Sequence, residues 1–168
     1  MLSTVGTSGA FFAKARPEPE LYEQISRLDP VNPFLTLAHA RAEEATGSEP
    51  WLLAYREGER IVRGCVAFVR RGRLNRRLSV TSVPEMPPQF WSGLKQFTSD
   101  EGITLLELNT FCSRAAMPAV GRELQRKSRY EYVLPLEGSA EELLRRMKPH
   151  HQRLVRKGMK AGLVVRMG

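Results

Sequence analysis

Residues 61–69 read IVRGCVAFV, a run that is apolar at positions facing both sides of an extended chain. A strand of that kind belongs in the middle of a sheet covered on both faces. The separators Glu57-Gly58-Glu59 and Arg71-Gly72-Arg73 bracket it. Both are short and centred on glycine, as hairpin turns require. Three strands are therefore expected at residues 51–56, 60–70 and 74–83, joined as an antiparallel meander.

The flanking segments carry helical patterns. Residues 21–28 suit a short helix closed by Asp29-Pro30. Asn32 can cap a second helix with Pro33 in its first turn, where the missing N–H costs nothing. Phe34, Leu37, Ala38 and Ala45 recur along one side of it, and Gly47 ends it. Pro87-Pro88 opens a helix through about residue 100, with Phe90, Trp91, Leu94 and Phe97 on one stripe, and Gly102 leads into a strand at 103–109. A strand, a helix and a second buried strand imply a right-handed parallel crossover. A further strand is expected at 129–136. Ser139 with Glu142 forms a capping box for a helix to about residue 148. Pro149 interrupts and restarts it, Gly162 ends it, and residues 163–166 have the look of a last strand. The expected class is α/β, a mixed sheet flanked by helices. Residues 1–20 are expected to form a flexible tail, and 21–168 one domain.

The chain has 168 residues, 42% apolar and 26% charged, ordinary for a globular protein with a real core. No apolar run is long enough to span a membrane, and the N-terminus does not resemble a secretory signal. Cys65 and Cys112 fit no ligand spacing and suit reduced thiols in a cytoplasmic protein.

Charge is distributed unevenly. The net charge is +8, and residues 122–168 hold twelve Lys+Arg against five Asp+Glu, which leaves about +1 for the rest. The last acidic residue is Glu142, and eight cations follow it. At 100° per residue, Arg153, Arg156, Lys157 and Lys160 fall within an arc of about 100°, opposite Leu154, Val155, Gly158 and Met159. Such a helix is expected to bury its apolar side on the sheet and to display a row of cations suited to phosphates of a nucleotide, a cofactor or RNA. The alternative is a solvated helix face whose cations suit the macrodipole.

Residues 130–166, YEYVLPLEGSAEELLRRMKPHHQRLVRKGMKAGLVVR, resemble the FemAB-type branch of the GNAT acyltransferase superfamily. Leu136, Ser139, Leu143, Leu144, Met147, Arg153, Arg156, Lys157, Lys160 and Gly162 occupy the expected places. Asn32-Pro33-Phe34 before a helix is similar to the family's entry segment, and the meander fits a GNAT sheet. The similarity covers about residues 30–168. It implies N-acyl transfer to an amine acceptor, with acyl-CoA or aminoacyl-tRNA as donor co-substrate, and with Arg153, Arg156, Lys157 and Lys160 holding phosphates of the donor or of a nucleotide-linked acceptor. It also implies a second GNAT-like half, or a homodimer, to complete the acceptor site. Three departures stand out. The family's enzymes are usually pairs of GNAT-like halves, and this chain is expected to match the first half alone. Ser82-Val83-Pro84-Glu85-Met86-Pro87-Pro88 replaces the family's Pro-x-Gly-Pro, and there is no Arg/Gln-x-x-Gly-x-Gly/Ala loop for a coenzyme A pyrophosphate. Relatives that use aminoacyl-tRNA lack that loop as well, and its absence suits equally an inactive half.

Such a reaction needs a base for the acceptor amine and donors for the oxyanion. Glu107, on the strand at 103–109 with Leu105 and Asn109 on its face, and Glu85, in the proline-rich loop after a strand, are the candidates. Glu107 can equally sit near the strand end against an arginine, and Glu85 can simply be solvated. His150 and His151 point about 100° apart and have no third ligand in range, so no metal is expected. His39 should be half buried between apolar neighbours. Tyr130 and Tyr132 share one face of their strand, as base-stacking platform or as core. A non-enzymatic RNA- or phosphate-binding module, or a catalytically incomplete half-domain, remain the alternatives to an enzyme.

Overall fold

A computed structural model describes residues 9–113, 118, 125–128 and 137–163. The chain divides into two compact units, Met1–Arg129 and Tyr130–Gly168. The first unit is an α/β layer structure around a five-stranded mixed sheet. Its strands are β1 (Ala10–Ala15), β2 (Glu49–Glu57), β3 (Arg60–Arg71), β4 (Arg76–Val80) and β5 (Leu105–Leu108), hydrogen-bonded in the order β1-β2-β3-β4-β5. The first three pairings are antiparallel and the β4–β5 pairing is parallel.

The doubly apolar run is the central strand β3, as its composition requires. Cys65, Ala67 and Val69 face one core with Leu78, Val80, Phe90, Leu94 and Phe97. Val66 and Phe68 face the other with Tyr22, Ile25, Leu35 and Ala40. The helix α3 (Pro88–Asp100) covers the first face and makes the crossover from β4 to β5. Its stripe is Phe90, Leu94 and Phe97, while Trp91 is half-buried and donates its indole N–H to Met86 O at 3.2 Å. The helices α1 (Pro19–Leu28) and α2 (Leu37–Glu44) cover the second face. Burial pushes the Cys65 thiol up to about 12 and the Tyr22 phenol up to about 12. Both cysteines are free, Cys65 buried and Cys112 exposed.

Four expectations are corrected. Residues 10–15 lie in the sheet as β1 rather than in a loose tail. Phe11 and Ala13 pack against the α3-side core and Phe12 against the other, an alternation that holds the strand. The second helix does not run on from Pro33. Asn32 caps only a 3₁₀ turn, Pro33–Leu35, and Thr36 adopts extended backbone to cap α2 through its hydroxyl, which accepts from His39 N at 3.2 Å. That break turns the helix, so Leu35 and Ala40 are buried while Ala38 and Ala45 are exposed. The third strand starts at Arg76, not at residue 74, because Gly72 N donates to Asn75 O at 2.8 Å and closes the turn there. The fifth strand starts at Leu105, because Ile103 N is taken by Thr98 O in the C-terminal turn of α3.

Beyond β4 and β5 the parallel ladder gives way to an isolated antiparallel bridge, Ser82 to Thr110. Asn32, 4% exposed, holds this region to the helical layer. Its Nδ2 donates to Ser82 Oγ at 2.8 Å and to Asp29 Oδ2 at 3.2 Å, and its Oδ1 accepts from Phe34 N at 3.1 Å. Ser82 Oγ in turn donates to Phe111 O. Buried polar groups are stable only when partnered in this way.

The second unit contains α4 (Ala140–Arg146) and α5 (Pro149–Lys160). The strand expected at 129–136, with Tyr130 and Tyr132, lies outside the described residues, as does the remainder of the one expected at 163–166. No helix among the described residues is long and apolar enough to cross a membrane.

Candidate functional sites: a basic helix and, in the other unit, a strand carboxylate

The second unit is built from its caps. Glu142 N donates to Ser139 Oγ at 3.3 Å and Ser139 N to Glu142 Oε2 at 2.7 Å, the reciprocal pair that the Ser-x-x-Glu spacing foretells. Glu141 and Glu142 in the first turn of α4 and Arg145 and Arg146 in its last complement the helix dipole. Lys148 precedes Pro149, whose ring cannot continue α4 but suits the first turn of α5. Gln152 fixes the corner. Its Nε2 donates to Met147 O at 2.8 Å and to Arg145 O at 3.3 Å, capping two carbonyls that α4 leaves unused. The sequence reading did not single out Gln152; its only signal is an amide one turn past the proline.

The helix α5 places Arg153, Arg156, Lys157 and Lys160 along one stripe, where with Pro149 and Gln152 they line an open depression. All four cations are exposed, and among the described residues none has a carboxylate within ion-pair distance. The stripe of positive charge is therefore as the sequence foretells. On its opposite side lie Leu154, 50% exposed, Val155, 40%, and Met159, 69%. A 12-residue helix is marginal in water on its own, and the dipole term at its C-terminal end adds to its stability. Its last turn carries Lys157 and Lys160, and Ala161 N closes onto Lys157 O at 3.0 Å.

In the first unit Glu107 stands on β5, about half exposed, in an ion pair with Arg77 of β4. Asn109 Nδ2 lies 3.5 Å from Glu107 Oε1, and Ser79 is its ladder partner. The carboxylate is therefore oriented from two sides on an open part of the sheet. Glu85 is exposed in the loop before α3 and makes no side-chain hydrogen bond to a described residue. The structure does not join it to Glu107.

His150 and His151 are exposed, with ring centroids 5.4 Å apart, and no group of three metal-ligating side chains occurs among the described residues. His39 is half-buried, as its pattern suggests, between the rings of Phe34 and Phe68 at 5.3 and 5.2 Å. Its Nε2 has no partner among the described residues. Burial holds its pKa below the ordinary histidine value, against a smaller opposing pull from Glu43.

No family model, curated protein or solved structure matches this chain.

Proposed function

We propose that the chain is a GNAT-like acyl- or aminoacyl-transferase domain of FemAB type, transferring an acyl group to an amine. One observation carries this reading: four exposed cations on α5 that no carboxylate among the described residues neutralises. An antiparallel meander followed, among the described residues, by a parallel crossover supports it, since such a meander fits the sheet of that family.

In this reading Arg153, Arg156, Lys157 and Lys160 hold the phosphates of the donor, acyl-CoA or aminoacyl-tRNA, through guanidinium forks and ammonium point charges. The acceptor amine gives up a proton and attacks the donor carbonyl, and the thiolate or ribose oxygen of the donor leaves. The candidate base for that proton is Glu107 of the first unit, with Arg77 and Asn109 acting as positioning residues, and it is assigned independently of α5. Glu85, which no described residue orients, is the weaker candidate. A second GNAT-like half or a second copy of the chain completes the acceptor site.

The test titrates acetyl-CoA and an aminoacylated tRNA against the protein at two salt concentrations, with Arg156→Glu/Lys157→Glu as control. Saturable binding of either donor, lost in the variant, is expected, with transfer to an amine lost in Glu107→Gln. Binding of tRNA without transfer would make the domain a non-enzymatic RNA module. Binding of neither donor refutes the proposal.

A further inference from the structure

The β3–β4 hairpin carries five arginines in eight residues, Arg70, Arg71, Arg73, Arg76 and Arg77. Two of the ladder pairs set like charges directly opposite each other, Arg70 against Arg77 and Arg71 against Arg76. Cross-strand like charges destabilise a hairpin, so their presence in consecutive pairs calls for a compensating partner. Part of it lies within the unit. Arg76 pairs with Glu101 at 2.9 Å, and Arg77 with Glu107. Arg70 donates to Thr46 Oγ1 at 2.7 Å and Ser48 Oγ at 3.0 Å, neutral acceptors that satisfy its N–H groups and leave its charge. Arg71 and Arg73 are exposed, with no carboxylate within ion-pair distance among the described residues. Three positive charges are thus uncompensated at one end of the sheet. At the apex between them Leu74 is 94% exposed.

We infer that this hairpin is a docking arm for a base-paired nucleic acid. Arg71 and Arg73 contact backbone phosphates, and Leu74 presses on the base stack. A two-stranded ribbon has the width to enter a groove, and apolar side chains at such tips act as wedges between base steps. A bilayer is the poorer match: one leucine offers too little apolar surface to hold a membrane, whereas every arginine-to-phosphate contact adds its own counterion release. The inference is independent of the reading given to α5.

Fluorescence anisotropy of an RNA hairpin and of a DNA duplex of the same sequence, at 50 and 200 mM salt, tests it on the full chain. Removing two phosphate contacts in Arg71→Ala/Arg73→Ala should cut the salt slope by nearly two, so the variant loses about tenfold less affinity over that fourfold rise. Which duplex binds more tightly decides between RNA and DNA. The same change should appear in an Arg156→Glu/Lys157→Glu background, which separates this arm from α5. Leu74→Ser should weaken the duplexes while leaving heparin, a polyanion without bases, unaffected. Arg71→Glu faces Arg76 and should melt no lower than the parent while binding less. An unchanged slope in Arg71→Ala/Arg73→Ala overturns the inference. So does hairpin-dependent binding to anionic phospholipid vesicles with none to either duplex.

Discussion

Replacing Gly93 with alanine sets two effects of opposite sign against each other. Gly93 lies inside α3, where alanine should stabilise by about 1 kcal/mol on helix propensity alone. A Cβ at that position would lie 3.0 Å from Phe11 Cδ1 and closer still to Phe11 Cγ and Cβ. Carbon atoms settle at about 3.5–4.0 Å, so the root of the Phe11 side chain would have to retreat by about 1 Å or more. It has little room, since its ring sits 5.3 Å from Phe90 and 5.9 Å from Phe97, and its backbone is registered against Tyr55 in the ladder. Overpacking of this kind costs about 1–3 kcal/mol. The net expectation for Gly93→Ala is destabilisation by about 1 kcal/mol, a fall in Tm of roughly 4 °C for a unit of this size. Urea and thermal denaturation measure it. Phe11→Gly, which removes the Cβ as well as the ring, should largely erase the additional cost of Gly93→Ala in a double-mutant cycle. A rise in Tm for Gly93→Ala in the otherwise intact protein would refute the close packing of α3 on β1.

Two further expectations concern the helical layer. Burial holds the His39 pKa below its unfolded value, so the stability concerned is whole above about pH 6.5 and is lost as pH falls through the folded-state pKa. Denaturation from pH 7.5 to 5 should show a steeper loss for the parent than for His39→Phe, and equal slopes would contradict the packing of that ring. Asn32→Ala removes the amide that joins Asp29, Phe34 N and Ser82, and should cost about 1–3 kcal/mol in urea denaturation; a loss below 0.5 kcal/mol, within the usual surface scatter, would show the link to be dispensable.

The sheet was legible where side-chain pattern alone determines structure. The run 61–69 had to be central, Gly58 supplied the positive φ of 60° its turn needs, and Pro88 opened α3. What escaped the reading depends on distant partners. β1 is only six residues long and follows a segment without pattern, and what makes it a strand is pairing with β2, some 35 positions further on. The break at Thr36 was hidden because Asn32-Pro33 and Thr36 are both good helix starts and the chain uses both in succession. At the candidate site, charge was readable from the wheel, since it needs only helical spacing. What packs on the Leu154, Val155 and Met159 side was not, because an amphipathic pattern says which side is apolar and not what covers it. That Glu107 could meet an arginine was readable, but that it is Arg77 depends on the parallel register of β4 on β5, which no local signal encodes.

The position of β1 also bears on the order in which the sheet assembles. β2, β3 and β4 are joined by tight turns and can zip by local closure, whereas β1 must return across two helices to reach its neighbour. Closing that long loop delays its reward, so the outermost strand should dock late, after the meander has formed a template. Phe11 travels with it, and until it arrives Phe90 and Phe97 lack a lid. The last step of folding is then also the one that seals the hydrophobic interior, and a nascent chain held short of it would offer neighbours both a bare backbone edge and a greasy seam.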